Sequence, residues 1–268
     1  MMLRDQTVPQ FFALNIIQLV GEITMIRYVL PFMVTLFYSN MLLAECSVDN
    51  AVLGAAYKVT TVVPDKKILT SKHIVLWRNG KQVAHEYLDN HVTELWEQTS
   101  NGMLRLVRYF DGHARGIEYQ PNEIKSSMGG NAWEIKQQLV SPELINSMRL
   151  QSTQGKDCNK LESYVLKTNN NTITLQWLAN QRLVKSYREE FRNHKVSWEL
   201  EQTITNPRQV NKTFTSRSNY QTTDYTDIGD NESDPFLMQM IHLGFVEHSS
   251  AGFYDAQGNH LDEHHHRH

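Results

Sequence analysis

Two short polar pairs do most to limit how this chain can fold: Asn79-Gly80 and Asn101-Gly102. Asn-Gly is the strongest short hairpin signal, because both residues accept the positive φ angles of the tight turns that match strand twist. Each pair sits between β-rich runs. "KHIVLWR" and "KQVAHEYL" flank the first, with His73, Val75 and Trp77 alternating against Ile74, Leu76 and Arg78. "VTELWEQ" and "GMLRLVRYF" flank the second. There Leu104, Leu106 and Tyr109 break strict alternation, which leads us to expect a bulge. "AYKVTTVV" before them stops at Pro64, and "ARGIEYQP" after them closes at Pro121.

The period changes at "NAWEIKQQLVSPELINSMRL". Trp133, Gln137 and Val140 fall on one helical face, and Ser141-Pro142 reads as an N-cap followed by a first helical turn. One or two short helices are expected near 131–149. Strand patterns then return in "KLESYVLK", in "TITLQWLA" with Ile173, Leu175 and Trp177 on one face, and in "RLVKSYREEF" and "KVSWELEQTIT" around Arg192-Asn193-His194. "KTFTSRSNYQT" reads as one more edge strand. After Thr223 the chain becomes acidic and turn-rich. "SDPFLMQMIHLGFVEH" then carries a helix start, with Ser233 or Asp234 as cap and Pro235 at the first helical position. About nine or ten strands in antiparallel hairpins are expected. The fold class is mainly β: a curved antiparallel sheet or half-barrel over 45–223, a helical insert, and an acidic turn with a C-terminal helix over 224–250. Connections this short exclude alternating parallel βαβ units.

The apolar run "MIRYVLPFMVTLFYSNMLLAECS" precedes all of this. Arg27 supplies a positive n-region, 28–43 an apolar stretch, and Ala44 a small residue for cleavage, so 25–44 reads as a signal peptide. An uncleaved anchor and a buried helix are the alternatives, and membrane association is expected only if the leader stays attached. Residues 1–24 are then read as an upstream extension from a mis-assigned start, with a genuine N-terminal helix as the alternative. Export leaves Cys46 and Cys158, the only two cysteines. In an oxidising space these are expected to join, and a loop of that length contributes about 4–5 kcal/mol in the chain-entropy model. Two unrelated buried thiols are the other reading. The expected location is the periplasm of a Gram-negative bacterium.

The strands "ITLQWLANQRLVKSYREEF" resemble a pattern of the half-barrel superfamily of periplasmic lipoprotein carriers and outer-membrane lipoprotein receptors: a tryptophan-bearing strand, a short turn, and a strand opening on "LV" and ending in charge. The resemblance covers roughly residues 55–220. It implies an exported carrier fold that holds acyl chains in an apolar cavity.

A net charge of −3 with scattered Lys and Arg argues against nucleic acid as a partner. No GxSxG, HExxH or phosphate loop occurs, and the acidic run from Asp224 fails the EF-hand spacing. Glu86, Glu94 and Glu97 read as solvent-face carboxylates. No catalytic residue is therefore assigned. Trp77, Trp96, Trp133, Trp177 and Trp198 are the candidates to line a cavity for a hydrophobic guest, against the plainer reading of a sheet–helix core. His260, His264, His265, His266 and His268 make a His-rich tail over 251–268 that suits Zn, Cu or Ni. The leading functional expectation is an exported non-enzymatic protein that binds a lipid or acyl chain, or a cell-envelope partner. An interaction module with a filled core, and a metal-dependent protein using the tail, are the alternatives.

Overall fold

The computed structural model describes residues 49–243, apart from 64, 66–67, 125–130, 193 and 232. The expected upstream extension, the leader, Cys46, residues 244–250 of the C-terminal segment and the His-rich tail lie outside the described residues.

Six strands form the first antiparallel run: β1 (Val52–Val63), β2 (Ile68–Asn79), β3 (Gln82–Tyr87), β4 (Val92–Gln98), β5 (Leu104–Phe110) and β6 (Arg115–Tyr119). The helices α1 (Ala132–Gln138) and α2 (Pro142–Ser147) follow. A second antiparallel run comprises β7 (Arg149–Gln154), β8 (Leu161–Lys167), β9 (Asn171–Leu178), β10 (Leu183–Phe191) and β11 (His194–Ile204). Helix α3 (Pro207–Thr215), strand β12 (Gln221–Asp224) and helix α4 (Pro235–His242) follow among the described residues. All twelve strands join one curved sheet, in the order β12-β6-β5-β4-β3-β2-β1-β11-β10-β9-β8-β7. The two runs meet where β1 pairs antiparallel with β11.

The mainly β fold with a helical insert and a C-terminal helix is as expected. The turns sit where the Asn-Gly pairs placed them, with Gly80 and Gly102 at positive φ. The caps follow the sequence as well. The Ser141 hydroxyl accepts from the Leu144 amide at 3.0 Å, and the Asp234 carboxylate accepts from the Phe236 amide at 2.8 Å.

Three expectations are corrected. "KTFTSRSNYQT" is no edge strand: its first part lies in α3, opened by the Asn206 side chain capping the Arg208 amide and by Pro207 at the first helical position. The chain then crosses to the far edge, where β12 pairs parallel with β6. The helical insert expected near 131–149 ends at Ser147, and Arg149 already opens the edge strand β7. The bulge expected in β5 is absent, because its register with β4 runs unbroken from Val92–Phe110 to Gln98–Leu104. Alternation fails there because both faces are covered: Leu106 lies in the inner core, while Val107 and Tyr109 are buried on the other side. The bulges fall instead at Ala56/Tyr57, Val184/Ser186 and Leu150/Ser152.

Each face of the sheet carries a core. The inner face packs α1, α2, α4 and the turn at 225–228 against Leu53, Leu76, Trp96, Leu106, Tyr119, Leu175 and Trp177. The outer face holds a smaller cluster in which Val210 and Phe214 of α3 cover Val75, Trp77 and Ala84. Gly54 is required there. A Cβ at this position would sit 2.6 Å from the Trp77 ring, so only a bare Cα lets the indole lie across β1.

Candidate ligand-binding site

Residues directly opposed across a ladder share a face. Register therefore assigns one inner row to Leu76, His85, Glu94, Arg108 and Ile117, running from β2 to β6. The next inner row is Arg78, Val83, Trp96, Leu106 and Tyr119. Charged groups thus lie in the middle of an apolar face, and α1 covers them.

Arg78 is buried and donates to main-chain oxygens only. Its Nε reaches Gln137 O at 2.6 Å, Nη1 reaches Gln181 O at 2.9 Å, and Nη2 reaches Arg182 O at 2.5 Å. One guanidinium therefore ties the end of α1 and the β9–β10 turn to the sheet. Burial holds its pKa down to about 10. Two positions along the inner face, His85 Nε2 lies 2.8 Å from Lys136 O, the preceding carbonyl of the same helix. That contact assigns the proton to Nε2, because a carbonyl can only accept. Burial, with the Lys136 charge beside it, lowers the imidazole pKa to about 4, so the ring is neutral at pH 7. The Lys136 ammonium lies 3.9 Å from the centroid of the Trp96 ring. The Gln138 side-chain oxygen accepts from Arg182 Nη2 at 3.1 Å.

Below this layer Glu94 Oε1 accepts from Arg108 Nη2 at 2.8 Å and from Nε at 3.2 Å. Both side chains are buried, 1% and 0% exposed. This corrects the expectation that Glu94 faces solvent. Its strand position matches in parity the inner residues Val92 and Trp96, a signal that charge type alone obscured. His85 and Arg108 carry the same signal, each separated by one residue from an inner apolar neighbour. Glu86 does point outward, where it accepts from Trp77 Nε1 and Arg217 Nη2, both at 2.8 Å.

The five tryptophans do not share one surface. Trp96 and Trp177 lie in the inner core, and Trp133 packs on it from α1. Trp198 opposes Tyr187 and Val59, both inner residues, with ring centroids 5.5 Å apart in the Tyr187 pair. Trp77 lies on the outer face under α3. The inner face thus continues from the covered rows onto β8–β11, where Tyr164, Leu166, Tyr187 and Leu200 are half-buried. A groove of about 450 Å³ lies along the same strands, lined by polar residues including Ser163, Gln176, Ser186 and Arg188 and also by Tyr164, Leu175, Tyr187 and Trp198.

Cys158 lies in a 3-10 turn at Asp157–Asn159, and its carbonyl accepts from Gln181 Nε2 at 2.8 Å. The Asn180 side chain donates to Asp157 O at 2.6 Å, and Asn50 donates to Asn180 O. The first described residues are therefore tied, through Asn180, to the turn that carries Cys158. Among the described residues no group of three His, Cys, Asp or Glu side chains could hold a metal ion, and no helix is long and apolar enough to cross a membrane.

The described residues thus form one curved sheet with α1, α2 and α4 on its inner face and α3 on its outer face. No family model matches the chain, and no curated protein does. Among solved structures, PNGF-II in a P21 crystal form is similar with a TM-score of 0.36 and 10% identity, over 67% of this chain and 33% of that one. The chain thus spans about a third of that protein's length. A putative outer membrane lipoprotein-sorting protein domain from Vibrio parahaemolyticus is similar with a TM-score of 0.29 and 5% identity, over 62% of this chain and 92% of that one. A LolA superfamily protein from Nitrosomonas europaea is similar with a TM-score of 0.28 and 7% identity, over 60% of this chain and 88% of that one. The weak resemblance noted in the strands is matched by a weak likeness to solved members of the lipoprotein-carrier superfamily.

Proposed function

We propose that this chain is an exported, non-enzymatic carrier that takes the acyl chain of a lipid or lipidated partner between its inner sheet face and the α1–α2 cover. The observation that carries the reading is the way the cover is held. The end of α1 meets the sheet through its own carbonyls, with Lys136 O on His85 and Gln137 O on Arg78. Hydrogen bonds to main-chain oxygens, together with the packing of Trp133 and Val140 on the inner core, hold a short helix over an aromatic face. The bond from the neutral His85 is worth about 0.5–1.5 kcal/mol and one from the charged Arg78 about 1.5–3 kcal/mol, within reach of what an incoming acyl chain recovers at about 0.8 kcal/mol per buried methylene. Trp96, Trp133, Trp177 and Trp198 are the residues this reading gives to the guest, together with the half-buried Tyr164 and Tyr187. Trp77 is not among them.

The leader at 25–44, cleavage after Ala44 and a periplasmic location belong to the same proposal, as does a Cys46–Cys158 disulfide. The Asn50–Asn180–Asp157 contacts favour the last: Cys46 is four residues from Asn50, a span of at most about 14 Å of extended chain. A second reading is a protein-interaction module with a filled inner core, favoured by the complete burial of Trp96, Leu106 and Tyr119 under the helices. One experiment separates the two. Protein purified from its own envelope is extracted with organic solvent, and the delipidated chain is titrated with a fluorescent acyl probe. Co-purified lipid and saturable binding, weakened by Trp177→Ala, support the carrier. Absence of both, with the chain folded, leaves the interaction module.

A further inference from the structure

The inner face carries a pair of unmet hydrogen-bonding atoms that an acyl chain cannot serve. Glu94 Oε2 and Trp96 Nε1 are both buried and both lack a hydrogen-bond partner. Their residues are 1% and 0% exposed, and they stand at successive inner positions of β4. Arg108 occupies only the other carboxylate oxygen, Oε1. The pair is chemically unlike: Oε2 can only accept, and the indole N–H can only donate. A buried carboxylate oxygen left without a donor is costly, more so than a neutral group. Whatever serves both atoms must offer a hydrogen and a lone pair.

We infer that this part of β4 is a head-group subsite for a neutral, hydroxyl-bearing amphiphile. The inference rests on the acyl-carrier reading above and narrows its ligand class. A hydroxyl donates to Glu94 Oε2 and accepts from Trp96 Nε1–H. A fatty-acid carboxylate brings no hydrogen and meets Glu94 as a like charge. An ester oxygen brings a lone pair but no hydrogen. A site built to hydrogen-bond a hydroxyl rejects analogues that lack it, because its own polar groups are then left unpaired.

The test uses the full mature chain and three ligands with one acyl chain: monoolein, methyl oleate and oleate. Each displaces a bound naphthylamine fluorophore at pH 7.5. Monoolein is expected to compete at least about tenfold better than the other two, the loss expected for one unmade hydrogen bond of about 1.4 kcal/mol. Glu94→Gln turns an amide donor toward the vacant position, so oleate gains and monoolein loses, and the order of the two narrows or reverses. Trp96→Phe keeps an aromatic ring under Lys136 but deletes the N–H, and lowers the monoolein preference alone. If all three ligands displace the probe equally in the unaltered chain, the subsite inference is overturned, the unmet atoms hold ordered water only, and the carrier reading stands. If none displaces it and the probe itself does not bind, the carrier reading fails and takes the subsite with it.

Discussion

Arg78 Nε donates to the main-chain oxygen of Gln137 at 2.6 Å, across a gap of 59 positions in sequence. The remaining guanidinium nitrogens go to Gln181 O and Arg182 O, so no carboxylate neutralises this buried cation in its direct hydrogen bonds. With Asn50 O, which Nη1 reaches at 3.5 Å, the result is a fastener made of one side chain and four carbonyls. Its strength depends on planar, fork-shaped donors that lysine does not supply.

Arg78→Leu should therefore remove the guanidinium donor from those four carbonyls. We expect a loss of about 2–4 kcal/mol of stability, read from the urea midpoint. Arg78→Lys should recover less than half of it. Hydrogen exchange at the amides of α1 should quicken more than at those of β4. Uniform quickening across the sheet would show that Arg78 supports the whole core and not the cover.

His85 should make stability pH-dependent. Its folded pKa lies near 4, below the value of about 6.5 expected in the unfolded chain. The unfolded state thus takes up the proton first as pH falls. The contribution is fully present above about pH 6.5, is lost progressively down to about pH 4, and amounts to on the order of 3 kcal/mol. His85→Gln keeps an N–H for Lys136 O and does not titrate. The difference in unfolding free energy between the two proteins should swing toward the variant between pH 7 and 4. A difference that stays constant with pH would refute the assignment.

The Glu94–Arg108 pair predicts strong non-additivity. Glu94→Ala alone leaves a buried guanidinium without its carboxylate and should cost about 3–5 kcal/mol. Glu94→Leu combined with Arg108→Met removes both charges and should cost markedly less than the two single changes together. A double-mutant cycle in urea measures this, and additive costs would contradict the pairing.

At Gly54 the new methyl group of Gly54→Ala meets the Trp77 ring at 2.6 Å. The indole must move, with a destabilisation of about 1–3 kcal/mol. Loss of the 2.8 Å hydrogen bond from Trp77 Nε1 to Glu86 should accompany it, visible as a shift of the indole N–H resonance. An unshifted resonance in a folded variant would place the ring elsewhere.

The proposed Cys46–Cys158 bridge predicts no titratable thiol in the unfolded, unreduced protein and two after reduction. Cys158→Ser should lower stability by about 2–5 kcal/mol under oxidising conditions and have little effect under reducing ones. Two thiols in the unreduced protein would remove the bridge from the account.

Local chemistry made much of this fold legible. Asn79-Gly80 and Asn101-Gly102 fix turns through their tolerance of positive φ. Ser141-Pro142 and Asp234-Pro235 start helices through caps and a preset φ, whatever lies around them. Alternation at Ile173, Leu175 and Trp177 identified a buried face, because β9 has one wet side. These signals act over a few residues, so the sequence alone carries them.

What stands across the sheet had no such local signature. Val75 and Trp77 alternate with Ile74 and Leu76, yet both sets are buried, since α3 returns from a distant part of the chain to cover the second side. The same long-range pairing turned Glu94 from an expected surface carboxylate into a buried partner of Arg108, and made Arg78 the tie between β2, α1 and the β9–β10 turn. Charge type and spacing in the sequence determined which groups were available and where strands and helices could begin. Only the tertiary structure decided which of those charges lost their water, because burial depends on which elements arrive from far along the chain to cover them.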